Sequence, residues 1–239
     1  MSRLHDTSCK ISARPYGWPH DNSLSPATTA LVVVDMQNDF CSEEGYLAYL
    51  GHSVAGTRAA IPNIARLLRA FRQHGYPVYH TREGHRPDLS TLSSRELFRS
   101  RNTPSGVGIG DQGPLGRLLV RGERGHDVVP ELYPLPAEPI IDKPGRSAFA
   151  YTDFELLLKV RGVQKLVICG VTTDVCVHST MREGNDRGCE CLLVEDATGA
   201  ALEELHPAAV KMVQHSGGIF GATASTDEVL EGIVKAALQ

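Results

Sequence analysis

The chain has 239 residues, 41% of them hydrophobic, with 24 basic and 28 acidic side chains and a net charge of -4. That length buries one substantial core, and the mixed charges supply neither the basic stripe of a nucleic-acid binder nor an acidic tail. The six cysteines fit no disulfide framework or paired zinc motif, no run approaches membrane-spanning length and the polar start resembles no signal peptide, so a small-molecule partner and a reducing cytoplasm are expected.

Residues 1–28 hold Pro15, Pro19 and Pro26 with little periodicity. They predict an arm, packed on its own domain or on a neighbouring subunit, ahead of a single domain over 29–239. The continuous, β-branched run 29–35 predicts a strand buried on both faces and closed by a carboxylate. Ile61, Ile64, Leu67, Leu68 and Phe71 recur at helical spacing before Gly75, and 77–80 reads as a second strand. The stretch 82–125 is rich in Gly, Pro, Arg and Ser, too long for an idle connection. It predicts a loop covering a site or an interface, with a partly disordered insertion as the alternative. Its glycines make no nucleotide signature, because no strand precedes them and no P-loop lysine follows.

Regularity returns with a strand over 138–143 that ends on Lys143, a helix over 153–160 and an apolar strand over 165–171. After Gly170, Thr172 and Thr173 offer helix caps that set Cys176 in the first helical turn. Unpaired N–H groups and the positive end of the macrodipole there predict a lowered thiol pKa and a nucleophilic sulfur. A strand over 190–196, a helix over 203–214, a strand over 218–222 and a helix over 227–238 complete the alternation. The expected fold class is α/β, a doubly wound, largely parallel sheet of about six strands with helices on both faces.

Ligands of such sheets lie beyond the carboxyl ends of the strands. Asp35, Lys143 and Cys176 all fall there, although more than a hundred residues separate the first from the others. Each alone has an ordinary reading, as a turn carboxylate, a solvated lysine and a small buried hydrophobe. An acid, a base and a thiol at one rim together point to covalent catalysis.

The segments Val34-Asp35-Met36-Gln37-Asn38-Asp39-Phe40, Asp142-Lys143-Pro144 and Gly170-Val171-Thr172-Thr173-Asp174-Val175-Cys176 resemble the three signatures of the isochorismatase-like cysteine hydrolases. The similarity runs from about residue 19 to the end. The stretches His80-Thr81-Arg82-Glu83-Gly84-His85-Arg86-Pro87-Asp88-Leu89, Ile109-Gly110-Asp111, Pro130-Glu131-Leu132-Tyr133-Pro134 and Met181-Arg182-Glu183-Gly184-Asn185-Asp186-Arg187-Gly188 are most similar to the biuret hydrolases and related urea-type amidohydrolases.

This resemblance implies that Asp35 takes the thiol proton, that Lys143 holds Asp35 and favours the thiolate, and that Cys176 attacks an amide or ureido carbonyl to form a thioester. Backbone N–H groups of Thr172 and Cys176 would meet the oxyanion, with a cis peptide at Val171–Thr172. It further implies substrate contacts from Gln37, Phe40, Arg146 and Ser216.

Two departures bear on substrate: Ser216 stands where biuret-cleaving members carry Gln, and Arg146 where they carry Lys. A shorter polar group and a two-donor guanidinium suit a longer ligand or one ending in an acid. Biuret and triuret therefore share the field with ureidoacrylate and N-carbamoyl acids, and an inactive homologue serving as a binding or scaffold protein is the reading outside enzymes. No Asp-x-His pair of the zinc-holding nicotinamidases follows Asp35, so no metal and no cofactor are expected. Relatives imply a homotetramer with no nucleic-acid or membrane partner.

Overall fold

In a computed structural model, which describes residues 9–238, six strands form one sheet. They are β1 (Thr29–Val34), β2 (Val78–Glu83), β3 (Ile140–Lys143), β4 (Lys165–Val171), β5 (Glu190–Gly199) and β6 (Ala222–Ala224). Their order across the sheet is β3-β2-β1-β4-β5-β6, and every pairing is parallel. The chain leaves β1 toward one edge and returns at β4 toward the other. The crevice at the carboxyl ends of β1 and β4 is therefore the natural ligand site.

Alternation along the strands divides the core in two. Leu31, Val33, Val167 and Cys169 face one apolar cluster, which is closed by α1 (Ile61–Gln73) and by the carboxyl-terminal helix Thr226–Ala237. Ala30, Val32, Leu166 and Ile168 face the other, with Phe154, Leu158, Met181, Val210 and Val213 from the opposite helices. Burial on both faces explains why β1 and β4 carry almost nothing polar.

Residues 9–24 fold back on their own sheet rather than extending away. Ile11 and Trp18 are fully buried, and Arg14 exchanges backbone hydrogen bonds with Thr223 at 2.8 Å, covering the β6 edge. The stretch expected as loop over 82–125 contains a helix, α2 (Ser94–Arg101), whose Ser93 hydroxyl accepts the Glu96 N–H at 3.2 Å, and a two-residue hairpin pairing Gln112–Gly113 with Gly116–Arg117. The last strand is also displaced from 218–222 to Ala222–Ala224. The preceding helix Leu205–Gly218 breaks its helical dihedrals at His215, Ser216 and Gly217, and the apolar Ile219 that suggested a strand is half exposed. Among the described residues no helix is long and apolar enough to cross a membrane, and no disulfide forms.

Gly170 sets how closely the two central strands meet. Its φ is +110°, and a Cβ there would lie 2.1 Å from the Val34 carbonyl oxygen. Gly170→Ala is expected to cost about 3 kcal/mol by forcing β1 and β4 apart, a fall of about 6–12 °C in the unfolding midpoint, readable by thermal denaturation.

Candidate active site

Four strand ends deliver the reactive groups. Asp35 follows β1, Glu83 ends β2, Lys143 ends β3, and Cys176 lies in the turn after β4. The backbone at Asp35 has φ +49°, a left-handed conformation that aspartate tolerates better than most residues, and this turns the chain out of the sheet. The Asp35 N–H bonds the Thr81 carbonyl at 3.1 Å, while the Thr81 hydroxyl donates to Asp35 Oδ1 at 2.6 Å. Thr81 and Glu83, two residues apart on β2, point to the same side of the sheet.

Lys143 is the hub of the cluster. Its Nζ lies 2.7 Å from Asp35 Oδ2 and 3.5 Å from Glu83 Oε2, and it donates to the Gly145 carbonyl at 2.8 Å. Asp35 and Lys143 have no solvent exposure. The Cys176 thiol donates to Glu83 Oε2 at 3.1 Å. The structure thus brings Asp35, Lys143 and Cys176 together as expected and adds a fourth member, Glu83.

Burial sets the charge states. It pushes the Cys176 thiol well above its ordinary pKa; Lys143 opposes this, while the Glu83 and Asp35 anions add to it. The expectation of a thiol acidified by a helix start is thereby corrected. Cys176 sits in a π-helical turn, Thr173–Val177, before the α-helix His178–Asp186, and desolvation outweighs the dipole there. Burial also raises Asp35, against the pull of Lys143. For Lys143 burial works against the ammonium, yet Asp35, Cys176 and Glu83 overcome it and hold the pKa above normal. Lys143 is therefore an ammonium lying between the Asp35 and Glu83 carboxyl groups, and the thiol that burial keeps protonated donates to Glu83.

A cavity of about 270 Å³ opens onto Cys176, with Glu83, Arg99, Arg146, Thr172 and Asp174 among its polar wall and Phe40, Tyr46, Leu119 and Leu205 among its apolar one. Arg99 and Leu119 come from the long segment after β2, so that segment walls its own chain's cavity. Arg99 and Arg146 share one carboxylate, Glu96. Burial opposes the Glu96 anion, but hydrogen bonds from Arg146 and Arg99 outweigh it and keep the pKa low. Phe40 packs edge-on against Tyr46 with ring centroids 6.4 Å apart.

Two residues expected to touch substrate are placed elsewhere. Gln37 is fully buried behind the site; its amide donates to the Glu83 and His126 carbonyls at 3.0 Å and accepts the Glu83 N–H at 2.7 Å. It positions the end of β2. Ser216 is exposed in the break after the helix, bonded to His215 Nδ1 at 2.8 Å, because the chain turns before β6 rather than entering it there. The capping expectation also shifts: Thr172 is the cap residue without a side-chain bond, and the Thr173 hydroxyl meets His206 Nδ1 at 2.9 Å. The Val171–Thr172 peptide is cis.

Asp35, Glu83 and Cys176 hold potential ligand atoms within 4.8 Å of one another, a spacing that could suit a cation. The Lys143 ammonium already supplies the positive charge between those carboxylates.

A parallel sheet with a thiol, two carboxylates and an ammonium gathered beyond its central strands defines a cysteine hydrolase. Comparison with known proteins gives the family: the isochorismatase domain matches residues 29–225. The chain belongs to the isochorismatase family. It is 34% identical over 195 residues to the ureidoacrylate amidohydrolase RutB of Azorhizobium caulinodans, covering 78% of this chain and 82% of that protein. It is 35% identical over 206 residues to RutB of Methylobacterium radiotolerans, covering 82% and 77%. Among solved structures it resembles a cysteine hydrolase from Pseudomonas syringae pv. phaseolicola, with TM-score 0.76 and 26% identity over 95% of this chain and 98% of that one.

Proposed function

We propose that this chain is a cysteine-dependent amidohydrolase that cleaves a C–N bond of a small linear ureido compound. The observation that carries the reading is the meeting of Cys176 with Asp35, Glu83 and Lys143 at the wall of a cavity, with the thiol already hydrogen-bonded to a carboxylate. Cys176 adds to the ureido carbonyl as its proton passes to the carboxylate cluster, and Lys143 favours the developing thiolate. Backbone N–H groups of Thr172 and Cys176 serve the oxyanion. The amine or ammonia leaves with a proton, and water then cleaves the thioester and restores the thiol.

For substrate, a ureido acid such as ureidoacrylate or an N-carbamoyl amino acid is the preferred reading. Two guanidiniums that share the single carboxylate Glu96 keep donors for a second anion, and the RutB relatives support the same chemistry. A neutral linear urea, biuret or triuret, is the second reading, favoured by Asp174, whose Oδ1 has no protein partner and can accept an amide N–H.

An ammonia-release screen of the purified protein against ureidoacrylate, N-carbamoyl amino acids, biuret, triuret and nicotinamide tests the class. No release from any of them above a Cys176→Ala background would sink it. On the preferred reading Arg146→Ala lowers kcat/KM for the acid about 10- to 100-fold, the size of one charge-assisted contact, and for biuret less than about threefold. Equal losses on both would count against an acid-binding end.

A further inference from the structure

We infer that Asp39 is the positioning residue of the substrate-facing wall: its buried carboxylate binds the backbone of Leu119 and of Tyr46, two cavity residues from separate segments, and so fixes the space that the substrate fills. The inference rests on the amidohydrolase reading for its substrate and deepens it by naming what shapes the binding end of the cavity.

Asp39 lies in the short helix Asn38–Cys41 after β1 and is 1% exposed. Its Oδ2 accepts the Leu119 N–H at 3.0 Å and its Oδ1 the Tyr46 N–H at 3.2 Å. Leu119 belongs to the long segment after β2, and Tyr46 opens the short helix Tyr46–Tyr49. Both residues line the cavity at Cys176. Among the described residues no cation pairs with Asp39; the charge that acts on it is Glu123, itself paired with Arg117 at 3.1 Å, and the helix that opens at Tyr46 faces it with no charged side chain. Burial, against the pull of the Leu119 and Tyr46 N–H groups, pushes the carboxyl up to about 6, so at pH 8 it is ionised and both oxygens accept.

The Leu119 backbone has φ +51°, a left-handed conformation that a leucine keeps only where its surroundings hold it. Here the hold comes from both sides: its N–H goes to Asp39, and its carbonyl accepts the His85 N–H at 2.8 Å. The same turn draws in the end of the segment. The Asp39 N–H donates to the Gly125 carbonyl at 2.7 Å and the Asn38 N–H to the Asp127 carbonyl at 2.9 Å. A Cβ at Gly125 would stand 2.4 Å from Asp39 Oδ1, so the segment passes directly against the carboxylate. Tyr46 carries the effect further, since its ring packs edge-on to Phe40 and lies beside the Arg99 guanidinium. The reactive groups are held by other partners, Asp35 by the Thr81 hydroxyl and Lys143 by Asp35 and the Gly145 carbonyl. Loosening the wall therefore weakens substrate binding and leaves the chemistry intact.

Asp39→Asn tests this in the full chain at pH 8. The amide offers one acceptor and turns its NH2 toward the other backbone N–H, so either Leu119 or Tyr46 loses its partner. With the ureido compound that the screen identifies, KM rises about tenfold, the effect of one charge-assisted hydrogen bond, and kcat stays within about threefold of wild type. Hydrogen exchange followed by peptide mass runs at least about tenfold faster in a peptide that holds Leu119 or Tyr46, while the peptides of β1 and β4 keep wild-type rates. A KM within about twofold of wild type overturns the inference, as does a loss carried chiefly by kcat, or exchange that is unchanged at both wall peptides or faster across the whole sheet. Exchange needs no substrate, so a protein inactive on every ureido compound fails the functional reading while the tie made by Asp39 is still decided. If Asp39→Asn does not fold, Gly125→Ala takes its place. The added methyl displaces the carboxylate without changing its charge, the same split is expected, and an unmoved KM with unmoved exchange overturns the inference.

Discussion

Cys176→Ala is expected to abolish ammonia release, lowering turnover by at least about four orders of magnitude while the protein keeps its fold. Removing a nucleophile leaves only binding and oxyanion stabilisation, which in cysteine and serine hydrolases is a small residue of the original rate. The side chain is 4% exposed and its loss deletes one sulfur atom, so the stability cost is of order 1 kcal/mol, well inside what a domain of this size withstands. Cys176→Ser sharpens the test. A hydroxyl fills the same place and can donate to Glu83, but it gives up its proton far less readily than a thiol, and turnover is expected to remain within about tenfold of the alanine variant. Parallel melting curves and ammonia assays check both. A serine variant that retains most of the activity would show that the sulfur is not the attacking atom.

Parallel α/β topology made much of this site legible in the sequence. β1 and β4 advertised themselves as unbroken apolar runs because both of their faces are buried, and placing them placed Asp35 and Cys176 beyond their ends. Lys143 followed from the same rule. Glu83 was missed because polar residues that face a buried site imitate a loop in any hydrophobic pattern. β2 was expected to stop at 80, whereas Thr81 and Glu83 continue it and are both buried, held by Asp35 and Lys143 rather than by apolar neighbours. The available signal was spacing: a threonine and a glutamate two apart lie on one face of a strand next to β1.

α2 was lost for a related reason. Its apolar pair, Leu97 and Phe98, cannot form a helical stripe, and Phe98 is 71% exposed. Only the Ser-x-x-Glu spacing at Ser93 and Glu96 marked its start. The thiol illustrates a contest of magnitudes. A dipole at a helix start contributes about 1 kcal/mol, whereas full desolvation can shift a group by several pKa units, so the local rule pointed the wrong way.

Lys143→Met is expected to lower stability by about 3–5 kcal/mol at pH 8 and to remove activity, with the stability deficit shrinking toward pH 5. The substitution keeps the length of the side chain but strips the cation from between Asp35 and Glu83, leaving buried carboxylates uncompensated. The pH dependence follows from Asp35. Burial already raises its folded pKa above the ordinary value, and Lys143 is the chief influence pulling it back down. Without the ammonium the folded pKa rises further. A carboxyl raised in the folded state is at its most favourable below the unfolded value, near 4, where it is protonated in both states. It loses that advantage as the pH climbs through the folded pKa, because the unfolded chain ionises freely while the buried group cannot. The variant therefore melts progressively lower than wild type as pH rises from 5 to 8. Lys143 itself, with a raised folded pKa, stays charged across that window in the wild type and adds no slope there. Calorimetry at several pH values, paired with the ammonia assay, reads the effect. A gap between the two melting temperatures that stays constant with pH would mean that Lys143 acts by packing its stem and not by holding the charge of Asp35.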